Sequence, residues 1–313
     1  MSRNSAYTAR KPLGMRLARD IKMNMFKYLM ILPVLVYLAI FAYKPMYGLI
    51  IAFMDFRPNL GIARSKFVGL KNFIAFFRDP FFVRLVRNTF SISALTILFG
   101  FPVPILLALM INELRNRVFK RTVQTITYMP YFISMVVVAA LVRTYVKQDG
   151  MISIIAQAFG AAPQNWLMQA KYFYTIYVVS DIWQTIGWNS IIYLAALTSI
   201  DQEQYESARI DGANRIQQMF RITLPNLIPT ISILFILRMG GIMNVGFEKI
   251  LLLYNEAIYP VADVISTYVY RRGIINTNFS FATAAGLFNS VINVIFLLAS
   301  NFISKRTTES SLF

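Results

Sequence analysis

The chain has 313 residues, of which 57% are hydrophobic and only 14% charged, where a soluble domain carries roughly 25% charged residues. Its net charge of +17 is spread between apolar blocks with no compact basic patch, which argues against nucleic-acid binding and for Lys and Arg at the ends of membrane helices, beside anionic lipid headgroups. There is no cysteine and no histidine, which removes disulfides, thiol nucleophiles, zinc and haem ligation and imidazole acid–base chemistry together.

Residues 1–27 form a basic polar tail, with Arg3, Arg10, Lys11, Arg16, Arg19, Lys22 and Lys27 against Asp20. No A-x-A cleavage site closes the apolar run that follows, and the run continues past Lys44-Pro45 through "MYGLIIAF". It reads as a retained first span over 28–53 rather than a signal peptide. Five further apolar runs predict spans over 89–111, 123–146, 172–198, 225–246 and 281–303, each near the roughly 20 residues a bilayer needs. Pro102, Pro104, Pro130, Pro229 and Gly240-Gly241 fall inside them, and membrane helices tolerate such breakers when neighbours re-satisfy the freed backbone groups. The expected fold class is all-α: six transmembrane helices over 28–303, both termini on one side, and a short tail over 304–313. The connection "NELRNRVFKR" carries four basic residues and favours a cytosolic N-terminus, while the seven in 54–88 pull the other way. "FVGLKNFIAFFRDPFFVRLVRNTF" alternates aromatic residues with Arg and predicts an interfacial amphipathic helix. The 247–280 segment has helical periodicity of its own and is expected to be folded.

Between the fourth and fifth spans runs "YESARIDGANRIQQMFRITLPNLIP". Asp201 and Gln204 form a capping-box-like pair that should start a helix. Glu206 with Arg209 and Asp211 with Arg215 lie at pairing distances along it. Asp211-Gly212 is a turn signal, so two short helices hinged at Gly212 are expected, the second carrying Ile216, Met219 and Phe220 on one side. Leu224-Pro225 should end this elbow, 201–225, and open the fifth span. Ser207, Ala208, Gly212 and Ala213 are small enough to admit another protein surface; a merely solvated loop is the alternative.

Polar groups inside spans mark a path or join helices. The fourth span has Asp181, Gln184, Trp188 and Asn189 on roughly one face, the sixth has Asn289 and Asn293, and the fifth has Arg238 and Asn244. Asp181 is a candidate ion-pair partner for Arg238. Trp188 with Asp181 and Asn189 suits a sugar, which offers ring faces to aromatics and hydroxyls to amides and carboxylates. There is no G-x-x-x-x-G-K-[ST] phosphate loop.

The spacing Glu206-Ser207-Ala208, three residues, Gly212, nine residues, Ile222, one residue, Leu224-Pro225 resembles the signature of permease subunits of ATP-binding-cassette importers. The family has Glu-Ala-Ala at its start, and this sequence departs with Ser207. "KPMYGLIIAFMDFRP", "FVGLKNFIAFF", "NVGFEKILLLYN" and "ADVISTYVYRRGI" look like the maltose-type branch that handles oligosaccharides and polysaccharide fragments. The resemblance implies a type I importer permease fold in a bacterial plasma membrane with cytosolic termini. It assigns coupling to an ATPase to Glu206, Ser207, Ala208, Asp211, Gly212, Ile222, Leu224 and Pro225. It also implies half of a pore, with a second homologous permease, two ATP-binding cassette subunits that use ATP and Mg, and an external sugar-binding protein as partners. No cofactor is expected on this chain and no enzymatic activity of its own. A secondary transporter or channel needs no such elbow, and a membrane transferase would need catalytic groups that the acids here do not supply.

Overall fold

The computed structural model describes Gly14, residues 20–308 and residues 311–313. Most of the basic tail expected over 1–27 lies outside these residues. The chain forms two units, Met1–Ile51 and Ala52–Phe313.

In the first unit Asp20 accepts hydrogen bonds from the Tyr28 hydroxyl at 2.6 Å and the Asn24 amide at 2.8 Å. An α-helix runs over Met25–Leu38 with Pro33 inside it. A π-turn at Ala39–Tyr43 comes immediately before Lys44-Pro45, where the missing proline N–H would interrupt a regular ladder.

The second unit is built on the 29-residue helix Ala170–Thr198. Its Phe173, Tyr177 and Val178 enter one apolar cluster with Ile92, Val138, Val142, Ile250 and Leu253. Its Tyr193, Leu194 and Leu197 enter another with Ala108, Ile111 and Leu227. A third cluster joins Phe76 and Leu85 to Ile265, Tyr268 and Phe281.

Among the described residues, four helices are long and apolar enough to cross a membrane: Met25–Phe53, Phe82–Glu113, Arg215–Met239 and Phe279–Thr307. The pair 117–132 and 135–158 reaches that length and apolarity only when its two pieces are taken together as one bent span. Ala170–Thr198 is about 43 Å long at 1.5 Å per residue, but Asp181, Gln184 and Asn189 in its middle keep its composition below that apolar class.

Three expectations are corrected. The span expected over 123–146 is broken: Arg117–Phe132 and Met135–Ala158 meet at 101°. Pro130 lacks an N–H to continue the ladder, Ile133 is extended, and Ser134 caps the new helix through Val137. The interfacial helix expected over 67–90 is two pieces. Lys71–Phe77 is a short helix whose Phe76 is fully buried, edge-on to Phe82, Phe281 and Phe288 at 5.1–5.8 Å; the residues from Phe82 are already the next span. A small antiparallel pair, Met54–Asp55 with Lys66–Phe67, precedes them. The fifth span stops at Met239 rather than 246. Gly240 lies against the last helix so closely that a Cβ there would meet Leu297 Cδ1 at 2.8 Å.

The 247–280 segment is folded, as its periodicity required, into short helices Phe247–Leu253, Tyr259–Ala262 and Ile265–Tyr270. Long-range polar contacts hold it. Fully buried Asp263 accepts from Arg271 at 2.6 Å and Thr267 Oγ1 at 2.9 Å, and Arg84 approaches at 3.7 Å. Asn88 donates to the carbonyls of Pro260 and Asp263, both at 3.0 Å. Asp79 accepts from the Tyr268 hydroxyl at 2.5 Å, with Arg272 at 3.7 Å. Buried charges persist only when paired in this way.

Candidate functional site: an elbow and a polar cleft

The elbow consists of the helix Gln202–Ile210, a turn, and a second helix beginning at Arg215. Asp201 caps the first helix by accepting from the Glu203 N–H at 3.0 Å. Gln204 does not complete a box; its side chain accepts from Asn226 at 3.1 Å. Gly212 has φ +76°, the left-handed region that glycine enters without a Cβ clash. The Ala213 N–H bonds the Ala208 carbonyl at 2.8 Å and the Gly212 N–H bonds that of Arg209 at 3.1 Å, the paired bonds of a Schellman stop. A true capping box follows one residue later: Asn214 accepts from the Gln217 N–H at 2.9 Å, and the Gln217 side chain accepts from the Asn214 N–H at 2.8 Å. One helix is thus ended and the next begun within four residues, which makes a stiff hinge out of local bonds.

Tyr205 reaches across it to Thr223, hydroxyl to hydroxyl at 2.9 Å. Glu206, Ser207, Asp211, Gly212 and Pro225 are exposed; Ala208, Ile222 and Leu224 are half-buried. Among the described residues no ion pair joins Glu206 to Arg209 or Asp211 to Arg215; Arg215 instead reaches Glu113 at 3.3 Å. Met219 packs inward on the core. Ile216 and Phe220 point outward at 66% and 59% exposure, with Ile210 at 87%. Leu224-Pro225 does not begin a new element. A π-turn at Met219–Thr223 leads into Leu224–Met239, so one continuous helix runs over Arg215–Met239. The wider turn accommodates the N–H that Pro225 lacks.

A cleft of about 550 Å³ opens between the helices, lined by Asp181, Thr185, Trp188 and Asn189 from one, by Leu234 and Arg238 from another, and by the 241–246 turn with Asn244. Asp181, Trp188 and Asn189 are thus brought together. The Trp188 indole stacks on Tyr131 at 4.5 Å and 2°, with Phe132 edge-on at 5.6 Å. One of its faces is therefore covered, by the very residues of the helix break.

The other expected path residues stand elsewhere. Gln184 is buried and donates to the Ile133 carbonyl at 3.4 Å, satisfying a group the broken helix frees. Asn289 and Asn293 both donate to Asn244 Oδ1, at 3.0 and 3.1 Å, and Asn293 accepts from the Met243 N–H at 2.8 Å. They brace the turn behind the cleft instead of lining it.

The expected pair of Asp181 with Arg238 is absent. Asp181 is held at 3.3 Å by Lys249, which is 1% exposed, donates also to the Tyr177 carbonyl at 3.1 Å and lies 4.6 Å from the Tyr177 ring centre. The Tyr177 hydroxyl accepts from the Gly246 N–H at 3.1 Å. Sequence reading passed over Lys249. Its signal was spacing: Lys249, Ile250 and Leu253 fall on one buried helix face, and a lysine in such a stripe requires an acid.

A bundle of apolar helices with a polar cleft among them and a stiff elbow at one end defines a class, the membrane-embedded subunit of a transporter. The model for "Binding-protein-dependent transport system inner membrane component" matches residues 100–309, and the chain belongs to that family. It is 42% identical to "Protein LplB" of Bacillus subtilis (strain 168), covering 94% of this chain and 92% of that one. It is 41% identical to "Polygalacturonan/rhamnogalacturonan transport system permease protein YteP" of the same organism, covering 95% and 93%. Its fold is similar to a chain in the "Crystal structure of bacterial alginate ABC transporter in complex with alginate pentasaccharide-bound periplasmic protein", with TM-score 0.87, 44% identity, and 95% and 100% of the two chains covered.

Proposed function

We propose that this permease forms half of the pore of an ATP-driven importer of oligosaccharides or polysaccharide fragments, in a bacterial plasma membrane with both termini cytosolic. A second, homologous permease completes the pore. Two separate subunits bind ATP and Mg, and an external binding protein delivers the saccharide. The names of the relatives, one for polygalacturonan and rhamnogalacturonan and one for alginate with its periplasmic protein, support a saccharide cargo. The observation that carries the reading is the continuity of Arg215–Met239. This helix starts in the elbow and ends in the cleft wall at Leu234 and Arg238, about 35 Å away along its axis.

The elbow works as follows. Ile210, Ile216 and Phe220 dock on the ATPase, together with Glu206, Ser207, Ala208, Asp211 and Gly212. When ATP closes the ATPase pair, the capped elbow moves as a body. The attached helix carries that motion to the cleft, exposing it to alternate sides, a rigid-body switch between two states. Asp181, Trp188 and Asn189 contact the saccharide, with Gln184, Asn289 and Asn293 supporting them from behind.

Two measurements bear on this. In a chain without natural cysteines, Asn278→Cys should react with an impermeant reagent applied outside cells and Asn116→Cys should not; the reverse pattern removes the elbow from the cytosol and ends the coupling reading. Trp188→Ala should slow uptake about three- to tenfold, the range set by one lost aromatic contact, while assembly and receptor-stimulated ATPase persist. Wild-type uptake by Trp188→Ala combined with Asn189→Ala would show that this cluster is not the path.

A further inference from the structure

We propose that the cleft reads a carboxylate on its cargo through Arg238, and that Lys249 permits this by holding Asp181 out of competition. The inference rests on the saccharide-importer reading and names the cargo class: an anionic oligosaccharide bearing carboxylates.

Asp181 and Arg238 are the two charged residues lining the cleft among the described residues. They would be expected to neutralise each other, and they do not. Lys249 approaches Asp181 from the packed side, fixed by the Tyr177 carbonyl and ring and almost wholly removed from solvent. The acid in the cleft wall is therefore already matched by a cation that no cargo can reach. Arg238 is exposed to the cleft and makes no hydrogen bond or ion pair among the described residues. The cleft thus carries one uncompensated positive charge.

That charge has local support but no counter-ion. Arg238 stands in the last turn of Leu224–Met239, where the helix dipole favours a cation. A dipole lowers the cost of the charge without neutralising it, and an ionisable group at membrane depth that keeps its charge unpaired marks a ligand contact. The guanidinium presents two parallel N–H groups that match the two oxygens of a carboxylate. Beside it, Asn189 and Asn244 offer amides for sugar hydroxyls and Trp188 offers a ring face. A neutral saccharide would leave Arg238 unmatched; an anionic one pairs it. Had Lys249 been an apolar residue, Asp181 would take Arg238 itself and repel the cargo's carboxylates.

The test uses Thr185→Cys, a cleft-lining position, as the single cysteine of this chain, in the importer complex in lipid nanodiscs. Labelling rates of this chain by sulfonate-bearing and trimethylammonium-bearing methanethiosulfonates are compared. Relative to the rates of the two reagents with a free thiol in solution, the sulfonate reagent should be favoured. Arg238→Gln should lower the sulfonate-to-ammonium ratio roughly tenfold, the effect of removing one nearby charge at an intermediate dielectric, and Arg238→Lys should restore most of it. Lys249→Met, which frees Asp181, should lower the ratio as Arg238→Gln does. Trigalacturonate should slow labelling, whereas its carboxyl-reduced counterpart at the same concentration should not. An unchanged ratio in Arg238→Gln, or equal protection by the neutral trisaccharide, overturns the proposal. So does loss of the co-purifying sister permease in Arg238→Gln, which would assign the arginine to a subunit contact. Labelling needs neither ATP nor receptor, so a complex whose ATPase ignores a loaded receptor refutes the importer reading while leaving the charge selectivity of the cleft standing.

Discussion

Gly212→Trp is expected to insert in the membrane and assemble normally, yet to lose ATP-driven uptake. Gly212 sits at φ +76° and a Cβ there would meet nothing within 4 Å. The damage therefore comes from the backbone and from bulk on an open surface, and none of it from internal packing. An L-residue in the left-handed region costs about 1–2 kcal/mol, which corresponds to a shift of about five- to thirtyfold against the native turn. That is too little to unfold the bundle and enough to unseat the Schellman stop on which the angle between the two elbow helices depends. The indole would add volume where the ATPase docks. Gly212→Asn separates the two effects, because Asn tolerates this conformation and is small; it should retain more uptake than Gly212→Ala. Uptake at the wild-type rate in Gly212→Trp would show that the elbow transmits nothing.

Gly187→Leu is expected to yield no folded protein, and Gly187→Ala to be strongly destabilised. A Cβ at Gly187 would lie 2.1 Å from the Thr127 carbonyl oxygen, 2.4 Å from its carbon and 2.8 Å from Tyr128 Cδ1. The first two atoms are backbone, so no rotamer change relieves the clash and the Arg117–Phe132 helix must move bodily. Overpacking of this kind costs about 1–3 kcal/mol and occasionally more, and small residues at such crossings are what let membrane helices approach. Displacing that helix would also disturb Tyr131 beneath Trp188 and the Gln184 bond to Ile133, coupling stability to the cleft. Gly286→Ala is the control: it also lies in a long helix, but its Cβ would meet nothing within 4 Å. It should be neutral or stabilising by up to about 1 kcal/mol, the helix-propensity gain of Ala over Gly. Thermal unfolding of the purified variants in detergent decides this. A Gly187→Ala protein as stable as Gly286→Ala would contradict the close approach.

The elbow was readable in advance because everything that shapes it is local. A cap at Asp201, a glycine at Gly212 and a helix restarting three residues later are all written within about one short segment, and they depend on bonds between near neighbours. Among the local errors, the box assigned to Asp201 and Gln204 arose because Gln204 found a partner at Asn226, beyond the turn. The break at Pro130 was visible as a proline but not as a corner. Prolines within membrane helices commonly only kink them, and Gln184, fifty-one positions from Ile133, is what satisfies the freed carbonyl.

From the order of its residues alone, the chain specified its membrane-embedded helical class, the approximate position of most long helices, the folded 247–280 segment and the hinge at Gly212. These follow from apolar run length, helical periodicity and glycine's access to positive φ, all properties of contiguous sequence. Tertiary structure alone decided which charges meet. It gave Asp181 to Lys249 instead of Arg238, buried Asp263 between Arg84 and Arg271, and set Asn289 and Asn293 behind the cleft. The physical reason is that ion pairs and amide bonds form across separations of 68, 179 or 49 positions according to which helix faces pack together, and periodicity defines a face without naming its partner.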